Sequence, residues 1–130
     1  MSRVAMYIFV NKGLHMSAGK MGAQSAHAAV EAYRISKPEM IKKWYKGGHY
    51  TKLVMQAADE ENIKTIERYL NERGVQTAII IDEGLTEISP HQVTALGCEI
   101  VDKDMGDTEE IFSTFQLYRD TVKATLEFDK

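Results

Sequence analysis

Cysteine is nearly missing from these 130 residues: Cys98 stands alone, which excludes an intrachain disulfide and fits a reducing compartment. A lone small thiol in an apolar run reads as packing rather than as a nucleophile. Proline occurs twice, at Pro38 and Pro90. No Gly-, Pro- or Ser-rich linker, low-complexity tract or internal repeat divides the chain. No apolar run approaches the ~18 residues of a membrane helix, and no signal-peptide pattern follows the first ten residues. His15, His27, His49 and His91 are scattered without metal-ligand spacing, and no glycine pattern of a P-loop is present. These absences leave a cytoplasmic-type protein with no metal or membrane expected. At 44% hydrophobic, it is long enough for one core and too short for two comfortable ones.

Charge is unevenly spread. Residues 1–57 hold nine Lys/Arg against two acids, a net +7, while residues 58–130 hold seven against seventeen, a net −10, giving the overall −3. Such asymmetry predicts one surface suited to an anion and another facing solvent or a different partner. Lys37, Lys42, Lys43, Lys46 and Lys52, interleaved with Trp44, Tyr45 and Tyr50, form the densest basic-aromatic patch. It reads equally as a local nucleic-acid footprint and as a Lys-rich helix with Trp44 packed inward.

Strand and helix signals alternate. Residues 4–11 (VAMYIFVN) are a buried strand, and an alanine-rich helix over 20–36 follows a loop. Pro38 opens a short second helix stopped by Gly47 and Gly48. Residues 51–57 are a second strand. Asp59 is the N-cap of a helix that buries Ile63, Ile66 and Leu70 and stops at Gly74. Residues 77–81 (TAIII) read as a fully buried third strand, 82–87 as a polar turn, and 93–101 as a fourth strand. An acidic turn over 102–110 leads into a helix over 109–125, which puts Ile111, Phe112 and Phe115 on one face. This order predicts a single α/β domain over 1–130, with a four-stranded mixed sheet between helices and an extra C-terminal helix. Residues from about 102 to 130 would be a divergent acidic and helical extension.

Two segments carry chemistry. In KGLHMSAGKMGAQSAHA, residues 12–28, Lys20, Gln24 and His27 return to one helix face at ~100° per residue, while Ala23, Ala26, Ala28, Ala29 and Ala32 keep that helix slim. In DEGLTEI, residues 82–88, Asp82 ends a buried strand, where open α/β sheets place ligands. Thr86 and the later Thr94 each offer a hydroxyl. Three different polar types on one face beside a glycine-opened helix start point modestly toward a site, whereas the second segment taken alone reads as a polar turn with Asp82 capping local amides.

Together they closely resemble the archaeal and eukaryotic-type (class two) peptidyl-tRNA hydrolase family. Gly19-Lys20, Ala23-Gln24, His27-Ala28, Trp44, Lys52, Gly84, Thr86-Glu87 and Pro90 stand at the family's spacing, over about residues 4–97. The resemblance implies a compact α/β fold, often dimeric. It also implies hydrolysis of the ester joining a peptide to the 3′ end of tRNA, with no metal or cofactor. Lys20, Asp82, Thr86 and Thr94 match the family's site residues, with Gln24 and His27 alongside, and peptidyl-tRNA would be the substrate. Departures are Ser89 in place of a proline, His91 in place of a glycine, Leu85 in place of a polar residue, and a changed ending after the last strand. The alternatives are a tRNA- or RNA-binding module of the same fold that has lost catalysis, and an interaction protein working through its acidic tail.

Ester hydrolysis needs an aimed water and donors for the developing oxyanion. Lys20 at a helix start suits the oxyanion or a phosphate. Asp82 suits the water, and the two threonines suit the ester or terminal ribose. His27, an imidazole on a helix face among alanines, ranks below Asp82 as a base. The five lysines would hold the tRNA.

Overall fold

A computed structural model describes residues 3–47, 49–83 and 91–119. The elements are β1 (Val4–Asn11), a 3-10 turn (Lys12–Leu14), α1 (Ala18–Ile35), α2 (Pro38–Lys46), β2 (Lys52–Ala57), α3 (Glu60–Glu72), β3 (Thr77–Asp82), β4 (Gln92–Cys98), β5 (Val101–Asp102) and α4 (Thr108–Phe112). The sheet runs β2-β1-β4-β3, with β5 also on β1. β1 and β2 are parallel, and β4 is antiparallel to both β1 and β3, giving the mixed α/β sheet expected.

β1 is the spine because it is apolar on both sides. Ala5, Tyr7 and Phe9 pack with Ile63, Ile66 and Leu70 of α3 and with Ile111 and Phe112 of α4. Val4, Met6, Ile8 and Val10 pack with Ala28 and Ala32 of α1 and Trp44 of α2. The period-2 alternation of a strand thus feeds two layers. The charge split follows these layers. Lys20, Lys42, Lys43 and Lys46 lie on α1 and α2, whereas Glu60, Glu61, Glu67, Glu72, Glu109 and Glu110 lie on α3 and α4.

The slim helix has a definite use. A side-chain carbon at Gly97 of β4 would stand 2.3 Å from the Ala28 carbonyl oxygen and 3.2 Å from Ala32 Cβ. Glycine on the strand and alanine on the helix therefore bring α1 against the sheet. Trp44 is buried and donates from Nε1 to the Thr51 carbonyl at 2.9 Å, so the tryptophan of the basic-aromatic patch packs inward.

Three expectations need correction. The fourth strand does not run unbroken over 93–101. β4 meets β1 in the register Ile8–Gly97 and β5 in the register Val4–Asp102, one residue out of step. There the Glu99 amide donates to the Gln76 carbonyl at 3.0 Å, extending the β3–β4 ladder, while the Ile100 amide donates to Ser36 Oγ at 2.8 Å in place of a β1 carbonyl. The third strand is not fully buried, since Ile81 is 50% exposed at the sheet edge. The helix expected over 109–125 stops at Phe112. Residues 116–118 instead pair along β2: the Gln56 amide donates to the Gln116 carbonyl at 3.0 Å, and the Tyr118 amide to the Val54 carbonyl at 2.7 Å. Of that expected helix, residues 120–125 lie outside the described residues.

Phe112 stacks on Tyr7 with ring centroids 4.1 Å apart, and Phe115 meets Phe9 edge-on at 4.9 Å. Both aromatic rings therefore pack against the sheet.

Candidate active site

β1, β2 and β3 run in one direction and end at Asn11, Ala57 and Asp82 along a single edge of the sheet. α1 begins above that edge. Ser17 is its N-cap, accepting the Lys20 amide on Oγ at 3.2 Å, which places Lys20 in the first turn with its side chain over the end of β3. Lys20 Nζ lies 3.0 Å from Asp82 Oδ1, and the two side chains are 9% and 10% exposed. The other carboxylate oxygen, Asp82 Oδ2, is buried without a hydrogen-bond partner among the described residues. An unpartnered carboxylate oxygen beside a shielded ammonium is a strong acceptor waiting for a proton donor.

Thr94 reaches the same cluster through an irregularity. Ile80 pairs with Ala95 and Ile81 pairs with Val93, so Thr94 is the extra residue of a bulge in β4. Strict alternation from Leu96, on the α3 side, and Ala95, on the α1 side, would send Thr94 toward α3. The bulge turns it toward α1 instead. Thr94 Oγ1 donates to Gln24 Oε1 at 2.5 Å, and both side chains are buried. Lys20, Gln24, Asp82 and Thr94 therefore converge where α1 meets β3 and β4.

His27 is exposed and has no side-chain hydrogen bond or ion pair among the described residues. Thr86 lies outside the described residues, as do Gly84, Leu85, Ser89 and Pro90. His91 follows that segment with φ +62°, its amide donating to the Asp82 carbonyl at 2.6 Å. Left-handed backbone explains why a glycine suits this position.

Asn11 was not singled out from sequence. It is buried at the end of β1, where Nδ2 donates to the Val93 carbonyl at 2.9 Å and Oδ1 accepts the Gly13 amide at 3.0 Å. It thereby ties the loop before α1 to the bulged strand. A polar residue closing an otherwise apolar strand was its signal. Cys98 is fully buried, and burial pushes its thiol well above the ordinary range, which suits packing and not nucleophilic attack. Among the described residues, no group of three or more His, Cys, Asp or Glu side chains is placed to hold a metal ion.

The lysine patch is not uniform. Lys37 pairs with Glu99 at 3.5 Å and Lys43 with Asp102 at 3.2 Å. The Asp102 carboxyl is held below its usual range, chiefly by the Asp104 amide and then by Lys43, against the opposing effect of burial. Lys42 and Lys46 are exposed and without a carboxylate partner among the described residues. Lys52 Nζ stands 5.0 Å from the Trp44 ring centre. No helix of the described residues is long and apolar enough to cross a membrane.

Residues 4–118 match the family described as Peptidyl-tRNA hydrolase PTH2. The match runs past Gly97, where the motif resemblance stopped, and takes in α4 and the segment along β2. The chain is 37% identical over 114 residues to a peptidyl-tRNA hydrolase of Thermococcus onnurineus (strain NA1), spanning 82% of this chain and 96% of that protein. It is 33% identical over 107 residues to one of Methanopyrus kandleri, spanning 77% and 91%. It is also 36% identical over 109 residues to Peptidyl-tRNA hydrolase 2, mitochondrial, of Homo sapiens, spanning 78% of this chain and 60% of that protein.

Proposed function

The chain belongs to the PTH2 family of peptidyl-tRNA hydrolases, whose reaction is hydrolysis of the ester between a peptide and the 3′ end of tRNA, and we propose that it performs this reaction with Lys20 and Asp82 as the central pair. A water donates a hydrogen bond to Asp82 Oδ2 and attacks the ester carbonyl carbon while Asp82 takes its proton. The carbonyl oxygen gains negative charge, which the Lys20 ammonium stabilises. The bond to the ribose oxygen then breaks, and that oxygen takes the proton from Asp82. The products are a peptide with a free carboxyl group and a tRNA with a free terminal hydroxyl. Gln24 and Thr94 hold α1 and the bulged strand in register below the pair, with Thr86 on the ester or terminal ribose and His27 at the rim.

The observation that carries this reading is the nine-tenths-buried Lys20–Asp82 pair at 3.0 Å, with Asp82 Oδ2 buried and without a hydrogen-bond partner among the described residues. Lys42, Lys46 and Lys52 supply charge for tRNA phosphates. Lys37 and Lys43 contribute less, because each already faces a carboxylate. The test is release of peptide from a purified N-blocked aminoacyl-tRNA. Turnover by the wild-type chain that collapses in Asp82→Asn supports the assignment. Retained tRNA binding without wild-type turnover means that the fold has kept its ligand and lost its chemistry. A cytoplasmic placement and a homodimer complete the proposal; a single monomer boundary in sedimentation at high concentration would remove the dimer.

A further inference from the structure

The lysine patch carries an aromatic surface that the core does not require. Above buried Trp44 lie Tyr33 of α1, Tyr45 of α2, and Tyr50 in the turn before β2, which are 42%, 48% and 52% exposed. Their ring centroids stand 6.4, 5.5 and 6.1 Å from that of Trp44. Tyr45 and Tyr50 meet at 4.8 Å and 77°, and Tyr33 meets Tyr45 at 6.5 Å and 86°. The Tyr50 amide donates to the Trp44 carbonyl at 3.2 Å, and φ is +53° at His49 and +56° at Tyr50. The turn thus holds Tyr50 over α2 in a backbone that non-glycine residues seldom adopt.

We propose that Tyr33, Tyr45 and Tyr50, bordered by Lys42, Lys46 and Lys52, form a stacking platform for unpaired nucleotides of the RNA substrate. Half-exposed tyrosine rings beside lysines that face no carboxylate among the described residues match the two things a single strand offers, flat bases and phosphates. A duplex offers its phosphates but keeps its base faces stacked, leaving the tyrosines unused. Position supports the same occupant. Tyr33 stands thirteen residues beyond Lys20 on α1, about 20 Å along the helix axis. A strand whose 3′ end lies at Asp82 can therefore run back across α1 to the tyrosines. The inference rests on the proposed hydrolase reading for the identity of the RNA, but its own observable is binding.

The test is titration of the full chain with a short labelled single-stranded RNA and with the same sequence as a duplex. Tighter binding of the single strand is expected. Tyr45→Ala and Tyr50→Asn (asparagine tolerates the left-handed turn) should each weaken single-strand binding on the order of tenfold. Tyr45→Phe should retain it, and Lys42→Glu should weaken both forms. Thermal melting checks that each variant folds, with Tyr33→Ala as the substitute reading if Tyr45→Ala does not. Wild-type affinity in Tyr45→Ala, or a loss in Tyr45→Phe equal to that in Tyr45→Ala, overturns the platform. So does a change in self-association with RNA binding unaltered, which would make the patch a contact between copies. Tyrosine-dependent RNA binding without hydrolysis by the wild-type chain would sink the reaction and leave the platform standing. Hydrolysis with tyrosine-independent binding would do the reverse.

Discussion

Removing either member of the Lys20–Asp82 pair affects stability and catalysis in separable ways. Each side chain is about nine-tenths buried, with the charged atoms 3.0 Å apart. Deleting one charge strands the other in a poorly solvated place, which costs roughly 3–5 kcal/mol for a fully buried pair. Each side chain here keeps about a tenth of its surface exposed, so about 1–3 kcal/mol is expected for Lys20→Met or Asp82→Asn. Replacing both, as Lys20→Met with Asp82→Asn, removes the stranded charge and should recover most of that loss. Catalysis should not recover. Each single variant should lower turnover on the order of a hundredfold or more, as expected for groups that act in the transition state, and the double variant should be no faster. Urea denaturation of the four proteins gives the stability cycle, and single-turnover peptide release gives the rates. Near-wild-type turnover in both single variants would refute the assignment. A double variant whose destabilisation equals the sum of the singles would refute the coupling.

Gly97→Ala would drive a methyl group into the Ala28 carbonyl, 2.3 Å away, so α1 must lift from the sheet; a loss of about 1–3 kcal/mol in urea denaturation is expected, and an unchanged midpoint counts against the packing. His91→Gly relieves φ +62° and should raise stability by about 1 kcal/mol once the glycine's own entropy is counted, seen as a higher Tm. Truncation after Val101 removes buried Ile111 and Phe112, at roughly 1.5–3 kcal/mol each, and bares the edge of β2; a soluble truncated chain with unaltered Tm would show that this segment is not structural. Acid should loosen the same corner. The Glu109 carboxyl is held below its usual range by its hydrogen bond from Arg3, and the Asp102 carboxyl by the Asp104 amide and Lys43. With the folded pKa depressed, the stabilisation is present above about pH 4 and is lost as pH falls through the folded value. The Tm difference between wild type and Glu109→Gln should therefore vanish in acid.

Local patterns carried most of the layer structure. β1 is apolar from Val4 to Val10, which is what a strand covered on both faces requires, and Ile63, Ile66 and Leu70 sit at helical spacing. Lys20 and Asp82 could be singled out because one opens a helix and the other closes a strand, and element ends at one sheet edge converge. Thr94 was legible as a residue of interest but not in its direction, because a one-residue bulge reverses the facing that alternation would assign. The C-terminal segment misled for a related reason. Phe112 and Phe115, three apart, fit one helix face, yet the hydrogen bonds that govern residues 116–118 come from β2, some sixty positions earlier. Pairing across that distance leaves no periodic mark in the local sequence. Ile81 looked like core because an apolar run does not reveal which strand of a sheet lies at its edge.

α1 is where the proposed chemistry and docking meet. Its first turn presents Lys20 to Asp82, its middle rests on Gly97 through Ala28 and Ala32, and its last turns carry Tyr33 toward α2. A helix seated on a glycine cannot tilt at one end without moving the other, because close-packed interiors transmit small displacements. Gly97→Ala should therefore raise KM for the full substrate and lower kcat together, whereas loss of Tyr45 raises KM alone. Those two kinetic signatures distinguish a helix that merely bears two surfaces from one that fixes the distance between them. Equal signatures in the two variants would mean that α1 does not set that distance.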